Sequence, residues 1–195
     1  MKINPFTLFW LIGLTVFLFG VYGPRMREFK KARKNELRSS PLDMLLDFST
    51  YLTWQVLPFF YIFGRGLDFA NFDLPAWAGW AGVILFAASV YLYWRAYRDL
   101  GRNWSPRIEI MAEQQLVTEG VYSRIRHPVY AAMWLWVIAQ PLLIPNWIAG
   151  LGMLVTFTPL YFLRTPKEEK MMLDNFGDEY RAYMDHTGRI IPKLQ

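Results

Sequence analysis

The stretch Arg126 to Glu169, RHPVYAAMWLWVIAQPLLIPNWIAGLGMLVTFTPLYFLRTPKEE, decides the reading of this chain. Two apolar runs, Pro128 to Ile144 and Trp147 to Leu163, are joined only by Pro145 and Asn146, with charged clusters at both outer ends. This pattern predicts a tight helical hairpin whose ends return to one side. The first run is about 16 residues, or ~24 Å, which falls short of a ~30 Å hydrocarbon layer. The hairpin is therefore expected to tilt, or to turn before the far headgroups. Packed helices lie ~8–10 Å apart, so His127 at the entry and Arg164 at the exit should face each other.

The rest of the chain fits a membrane setting. Apolar residues make up 54% of the 195 and aromatic residues 18%, gathered in long runs between charge clusters. Ile3 to Pro24 carries no charge, and its core, Phe6 to Tyr22, is long enough to cross a bilayer. No small-x-small cleavage pattern follows it, and a dense basic cluster from Arg25 to Arg38 does, which argues against a cleaved signal peptide. Pro41 to Phe63 is a second apolar segment, with Asp43 and Asp47 in its first turns and a kink expected at Pro58. Leu74 to Trp94 is a third, with Pro75 in its first turn and Trp77, Trp80, Tyr91, Tyr93 and Trp94 placed as interfacial aromatic belts. Gly64-Arg65-Gly66 is turn chemistry, since a lone GxG without a preceding strand is no dinucleotide fingerprint.

The expected fold is an all-α integral membrane protein of about five transmembrane helices, including the C-terminal hairpin, with a cytoplasmic connector and an amphipathic C-terminal helix. Residues 1–98 would carry three spans. Residues 99–195 would form the cofactor-binding and catalytic region, with the hairpin at 128–163 and a cytoplasmic tail. That tail reads as a new helix capped by Thr165, with Pro166 first and Glu168 closing a capping box. Met171, Met172, Phe176, Tyr180 and Tyr183 recur near 3.6 spacing, which gives it one apolar face.

Charge orients the chain. Of 21 Lys and Arg, all but Lys2 and Arg65 fall in the Arg25–Arg38 loop, the 95–126 connector or the tail from Arg164. The positive-inside rule then places the N-terminus outside and the C-terminus, connector and site in the cytoplasm. The net charge of +5 is a topology signal and no argument for nucleic acid. Without cysteine, disulfides, zinc-thiolate sites and thiol nucleophiles are excluded, and two histidines make a multi-histidine metal site improbable. No metal is expected.

The connector Asp99 to Arg126 is too long for a structureless loop and too apolar for disorder, so it reads as an ordered piece at the membrane surface. Its end, Gln114 to Tyr130 (QQLVTEGVYSRIRHPVY), and the segment Arg164 to Glu169 converge on the cytoplasmic rim. Polar clusters at membrane depth are functional candidates.

LVTEGVYSRIRHPVY, then RTPKEE, then FGDEYRAY resembles, in order and spacing, the integral membrane methyltransferases of the isoprenylcysteine carboxyl methyltransferase family. The related phospholipid N-methyltransferases share the general pattern. The likeness covers roughly Leu100 to Pro192. It implies methyl transfer from S-adenosyl-L-methionine, leaving S-adenosyl-L-homocysteine, to a lipophilic acceptor such as a prenylated cysteine or a lipid. It further implies that the cofactor is bound by Gln114, Gln115, Leu116 and Val117, by Tyr122, by His127, Pro128, Val129 and Tyr130, and by Glu168. Arg164 falls on the substrate-side arginine, and with Glu168 it makes the catalytic pair. The chain departs from the family pattern at Thr165-Pro166 and at Ala131-Ala132, which bears on pocket shape.

The residue types suit that chemistry. A zwitterionic amino acid end needs donors, which His127 and Tyr130 supply, and an acceptor, which Glu168 supplies. The backbone of Leu116 and Val117 and the ring of Tyr122 suit an adenosine. Arg164 can hold an anion by a forked pair of hydrogen bonds. A carboxylate acceptor needs no general base, whereas an amine would need Glu168 or Glu169. The alternatives are a lipophilic amine N-methyltransferase and, from another class, a non-catalytic membrane protein. Arg124 and Arg126 are expected as headgroup or topology charges, and Tyr180 and Tyr183 as packing.

Overall fold

Helices begin where the sequence supplies caps. Asn4 Oδ1 accepts from Thr7 N at 2.8 Å, Thr7 Oγ1 accepts from Asn4 N at 3.0 Å, and Pro5 takes the first position of α1 (Pro5–Val16). Ser40 and Asp43 make the same reciprocal box ahead of α3 (Pro41–Tyr51). The computed structural model describes residues 4–31, 34–37, 40–105, 109–111 and 115–193. In it α1 continues through a π-helical turn, Phe17–Tyr22, into α2 (Gly23–Lys31). α3 likewise continues through Leu52–Val56 into α4 (Leu57–Phe63), and α5 (Ala76–Leu100), α6 (Pro128–Leu143) and α7 (Gly152–His186) follow. The architecture is helical, as expected, with one addition. The strands β1 (Lys34–Leu37) and β2 (Glu109–Met111), in the basic loop and in the connector, pair antiparallel.

The predicted disturbance at Pro58 takes the form of the second π turn. Proline has no N–H to give the Thr53 carbonyl five residues back. Gln140 of α6, fully buried, donates Nε2 to that oxygen at 3.0 Å and to Ala149 O at 2.8 Å.

Contacts fix the helix directions. Phe6 meets Trp80 and Phe17 meets Tyr93, so α1 runs parallel to α5. Gly82 abuts Leu142 and the Ser89 hydroxyl donates to Ala132 O at 2.7 Å, so α6 runs antiparallel to α5. The pairs Asp43–Lys167, Asp47–Arg164 and Thr53–Thr156 set α3 and its continuation antiparallel to α7. Trp136, fully buried, is the hub: Phe86, Trp54 and Phe17 pack on it with centroids 4.4, 5.2 and 5.4 Å away. Phe19, Leu45, Phe60, Ile84, Val155 and Phe162 are exposed, so the bundle is apolar outside as well as inside. Among the described residues two helices, Pro5–Phe29 and Ala76–Asn103, are long and apolar enough to cross a membrane.

The structure corrects three local expectations. Residues 144–151 form the turn between α6 and α7, so the hairpin connection is longer than Pro145 and Asn146. Asn146 organises it, donating to Leu67 O at 2.7 Å and Asn71 Oδ1 at 2.9 Å and accepting from the backbone of Ile148 and Ala149. No new helix starts at Thr165. α7 runs unbroken through Pro166 and kinks only at Gly177 (φ 53, ψ −123), and the Thr165 hydroxyl is buried with no hydrogen-bond partner. A capping box needs a chain that is not yet helical, and here it has been helical since Gly152. Tyr93 is buried against Phe17 and Trp54 and is no belt residue.

Candidate active site

At the end of the bundle where α7 leaves the apolar core, the connector is pinned to α5. Gly120 sits at φ 62, and a Cβ there would lie 2.2 Å from Asp99 Oδ2. Only glycine allows that approach, in which Asp99 Oδ2 accepts from Val121 N at 3.0 Å. The single turn Gly120–Ser123 then carries Tyr122 inward, and the Tyr122 carbonyl accepts from the Tyr183 hydroxyl at 2.6 Å.

Beyond α7 the chain returns beside this segment. Arg126 N donates to Gly188 O at 2.8 Å, Gly188 N to Arg124 O at 3.1 Å and His127 N to Arg189 O at 2.8 Å. The backbone of His127 is thus held by residues more than 60 positions away in sequence, immediately before Pro128 opens α6.

Two adjacent glutamates of α7 have different company. Glu169 is buried, and its carboxylate accepts from Arg126 at 3.1 Å and from Arg189 at 2.6 Å. Burial works to raise the Glu169 carboxyl, but His127, Arg189 and Arg126 outweigh it and hold the group at about 2. Arg126 also bonds the Met184 and Thr187 carbonyls. It is therefore a buried strut and not the headgroup charge that the sequence suggested. Glu168 faces the cavity side: its Oε1 accepts from the Tyr130 hydroxyl at 2.7 Å and from Arg164 Nε at 2.8 Å. His127 lies between the two, with Nδ1 3.8 Å from Glu168 Oε2 and Nε2 3.5 Å from Glu169 Oε1. His127 and Arg164 meet across Glu168, as the hairpin argument anticipated.

These groups open on a cavity of about 640 Å³. Of the residues singled out in the sequence, Gln115, Leu116, Val117, Tyr122, His127, Pro128, Val129, Tyr130, Arg164 and Glu168 all line it, while Gln114 lies outside the described residues. Tyr180 and Tyr183, expected as packing, line it too. Missed were contributions from the first half of the chain: Tyr22, Asp47, Trp54, Tyr93 and Tyr97, together with Trp104 of the connector. One signal was available, for Asp47 is an acid within an apolar segment, and such residues face a partner or a cavity. It accepts from Arg164 Nη1 at 2.7 Å. An aromatic-rich wall with a few convergent polar groups, at this volume, is the composition of a small-molecule site.

A sequence profile of the isoprenylcysteine carboxyl methyltransferase family matches residues 80–174. The chain is 26% identical over 153 residues to protein-S-isoprenylcysteine O-methyltransferase A of Arabidopsis thaliana, covering 77% of this chain and 72% of that one. It is 28% identical to the B enzyme of the same plant, covering 60% of each chain, and 29% identical to the Homo sapiens enzyme, covering 61% of this chain and 43% of that one. Among solved structures, a eukaryotic intramembrane Ras methyltransferase, isoprenylcysteine carboxyl methyltransferase, shares the fold with a TM-score of 0.52 at 24% identity, over 80% of this chain and 54% of that one. The chain thus spans between less than half and about three quarters of these relatives' lengths. The matched span, residues 80–174, holds Tyr122, His127, Tyr130, Arg164 and Glu168, and it is through this span that the chain is similar to the isoprenylcysteine carboxyl methyltransferase family.

Proposed function

We propose that the protein is an integral membrane methyltransferase that uses S-adenosyl-L-methionine to methylate the carboxylate of an isoprenylcysteine-like lipophilic acceptor. The observation that carries this is one cavity lined both by the segments assigned to the cofactor and by Arg164 and Glu168. The cofactor, when bound, supplies a methyl group activated on a sulfonium sulfur. Its fit rests on the donor set: the nine-tenths-buried His127 ring and the Tyr130 hydroxyl bring donors, and Glu168 an acceptor, to the same cavity wall. In this reading His127, Tyr130 and Glu168 hold the amino acid end, the backbone of Gln115 to Val117 and the Tyr122 ring hold the adenosine end, and Arg164 holds the acceptor. The chain's own part is to position and to exclude water.

A carboxylate acceptor is favoured over an amine because the two glutamates that an amine would need as its base are both engaged. Glu169 is held at about 2 by its arginines, and Glu168 Oε1 already accepts from Tyr130 and Arg164. A carboxylate is ionised at neutral pH and needs none.

The bilayer setting follows the helix directions. α1 and α5 are parallel, α6 opposes α5, and α3 with α4 opposes α7. Such alternation supports five crossings, with the N-terminus outside and the site and C-terminus cytoplasmic, as the basic loops require. Residues 1–98 then contribute three crossings and part of the acceptor wall. Residues 99–195 carry the cofactor side, and α7 beyond Arg164 lies at the membrane surface as an amphipathic extension.

Calorimetry of the detergent-solubilised protein with S-adenosyl-L-homocysteine tests the cofactor, with saturable one-site binding expected. Transfer of a labelled methyl group to N-acetyl-S-farnesylcysteine, giving a base-labile ester, tests the acceptor. Folded protein that binds no S-adenosyl-L-homocysteine overturns the reading.

A further inference from the structure

The guanidinium of Arg164 meets two carboxylates that are held unequally. Glu168 stands one turn along the same helix, and its Oε1 is fixed by both Arg164 and Tyr130. Asp47 reaches in from α3, its side chain 40% exposed, and accepts from Arg164 Nη1 at 2.7 Å. The structure gives Asp47 no other hydrogen bond among the described residues. One turn further along α3, Thr50 is 3% exposed and its hydroxyl has no hydrogen-bond partner among the described residues, although it lines the same cavity. Asp47 and Thr50 both precede the span matched by the family profile, residues 80–174.

We propose that Asp47 stands in for the acceptor's carboxylate: it holds the Nη1 edge of Arg164 until the acceptor takes that edge, and it then turns to the Thr50 hydroxyl. This rests on the carboxylate O-methylation reading above. An arginine fork binds a carboxylate best when two of its N–H groups point at one anion, and Asp47 now occupies one of them. A second carboxylate beside the acceptor also repels it in a site shielded from water. Asp47 therefore sets how tightly the anionic acceptor binds. Methylation removes the acceptor's charge, so the ester has little hold on the guanidinium, and the return of Asp47 clears it from Arg164. Asp47 is thus a specificity-determining residue that competes with the acid and not with the ester.

The test uses the full chain in detergent, with N-acetyl-S-farnesylcysteine as acceptor and its methyl ester as inhibitor. In Asp47→Asn, KM for the acid should fall about fivefold or more, while the inhibition constant of the ester moves less than about twofold. In Thr50→Val, which keeps Asp47, KM for the acid should rise about threefold because the displaced carboxylate loses its donor. Unchanged KM in both variants, or acid and ester constants moving together, overturns the proposal. Binding of S-adenosyl-L-homocysteine by the same preparations separates this outcome from failure of the methyltransferase reading, which would abolish binding in the unmodified protein as well.

Discussion

The Tyr130 hydroxyl and the Glu168 carboxylate are joined by a 2.7 Å hydrogen bond between α6 and α7, and Arg164 Nε reaches the same oxygen at 2.8 Å. One oxygen thereby links the proposed cofactor side of the cavity to the proposed acceptor side. Tyr130→Phe should weaken S-adenosyl-L-homocysteine binding about tenfold by calorimetry, the worth of one hydrogen bond to a charged group. His127→Ala and Glu168→Ala should lose cofactor binding. Arg164→Ala should keep it and lose turnover. Loss of cofactor binding in Arg164→Ala would reverse the assigned roles.

Acid should loosen the C-terminal clamp. The Glu169 carboxyl titrates at about 2 in the fold, against an ordinary value of 4.5. A folded value below the unfolded one contributes stability that is complete above about 4.5 and is lost as pH falls towards 2. Thermal melts in detergent should therefore show this loss beginning below about pH 4.5. Glu169→Gln should lower the melting temperature at pH 7 and flatten the acid limb. A variant that keeps the wild-type acid limb would assign it to other carboxylates.

Gly120→Ala places a side chain at φ 62 and against Asp99 Oδ2. The backbone conformation alone costs about 1–2 kcal/mol, and the contact adds to it. Lower thermal stability and weaker S-adenosyl-L-homocysteine binding are expected together, since Val121 loses Asp99 and Tyr122 moves with it. A fully stable Gly120→Ala protein would show that the turn can be rebuilt.

Gln140 and Pro58 should behave as a coupled pair. Gln140→Leu strips the Thr53 and Ala149 carbonyls of their donor in a buried place, at about 1–3 kcal/mol each. Pro58→Ala returns an N–H for Thr53, so the double variant should recover part of the loss in a thermal double-mutant cycle. Strict additivity would refute the link.

Thr165→Val separates the sequence reading from the structure. An N-cap threonine is worth about 1 kcal/mol. Inside a continuous helix, with its hydroxyl buried and unpartnered, the same residue should be replaced at no cost or with a slight gain in melting temperature.

The contrast between Thr165 and Ser40 shows what was legible in the sequence. Both precede a proline and, three residues on, an acid, and only Ser40 caps a helix. Local pattern cannot distinguish a helix that starts from one that passes through, because the difference lies in whether the preceding turn is already helical. The apolar runs could be read, because length and polarity are local quantities. The convergence of His127, Tyr130, Arg164 and Glu168 could also be read, because a hairpin carries its two ends to one place. Trp54 and Tyr93 could not be assigned to the cavity, since apolar spans carry little information about which face turns inward. Arg126 was misread for a related reason: a basic residue beside a span resembles a topology charge until its carboxylate partner is known.

The return of residues 187–189 along 124–127 has a consequence for biosynthesis. When Glu168 has been translated, Tyr180 and Tyr183 of the cavity wall are still to come, and so is Arg189, whose carbonyl holds the His127 amide. The nascent bundle therefore lacks a finished binding site at that point. Ligand competence waits on residues 187–189, so a chain truncated before Thr187 should keep the helix bundle yet fail to capture its ligand.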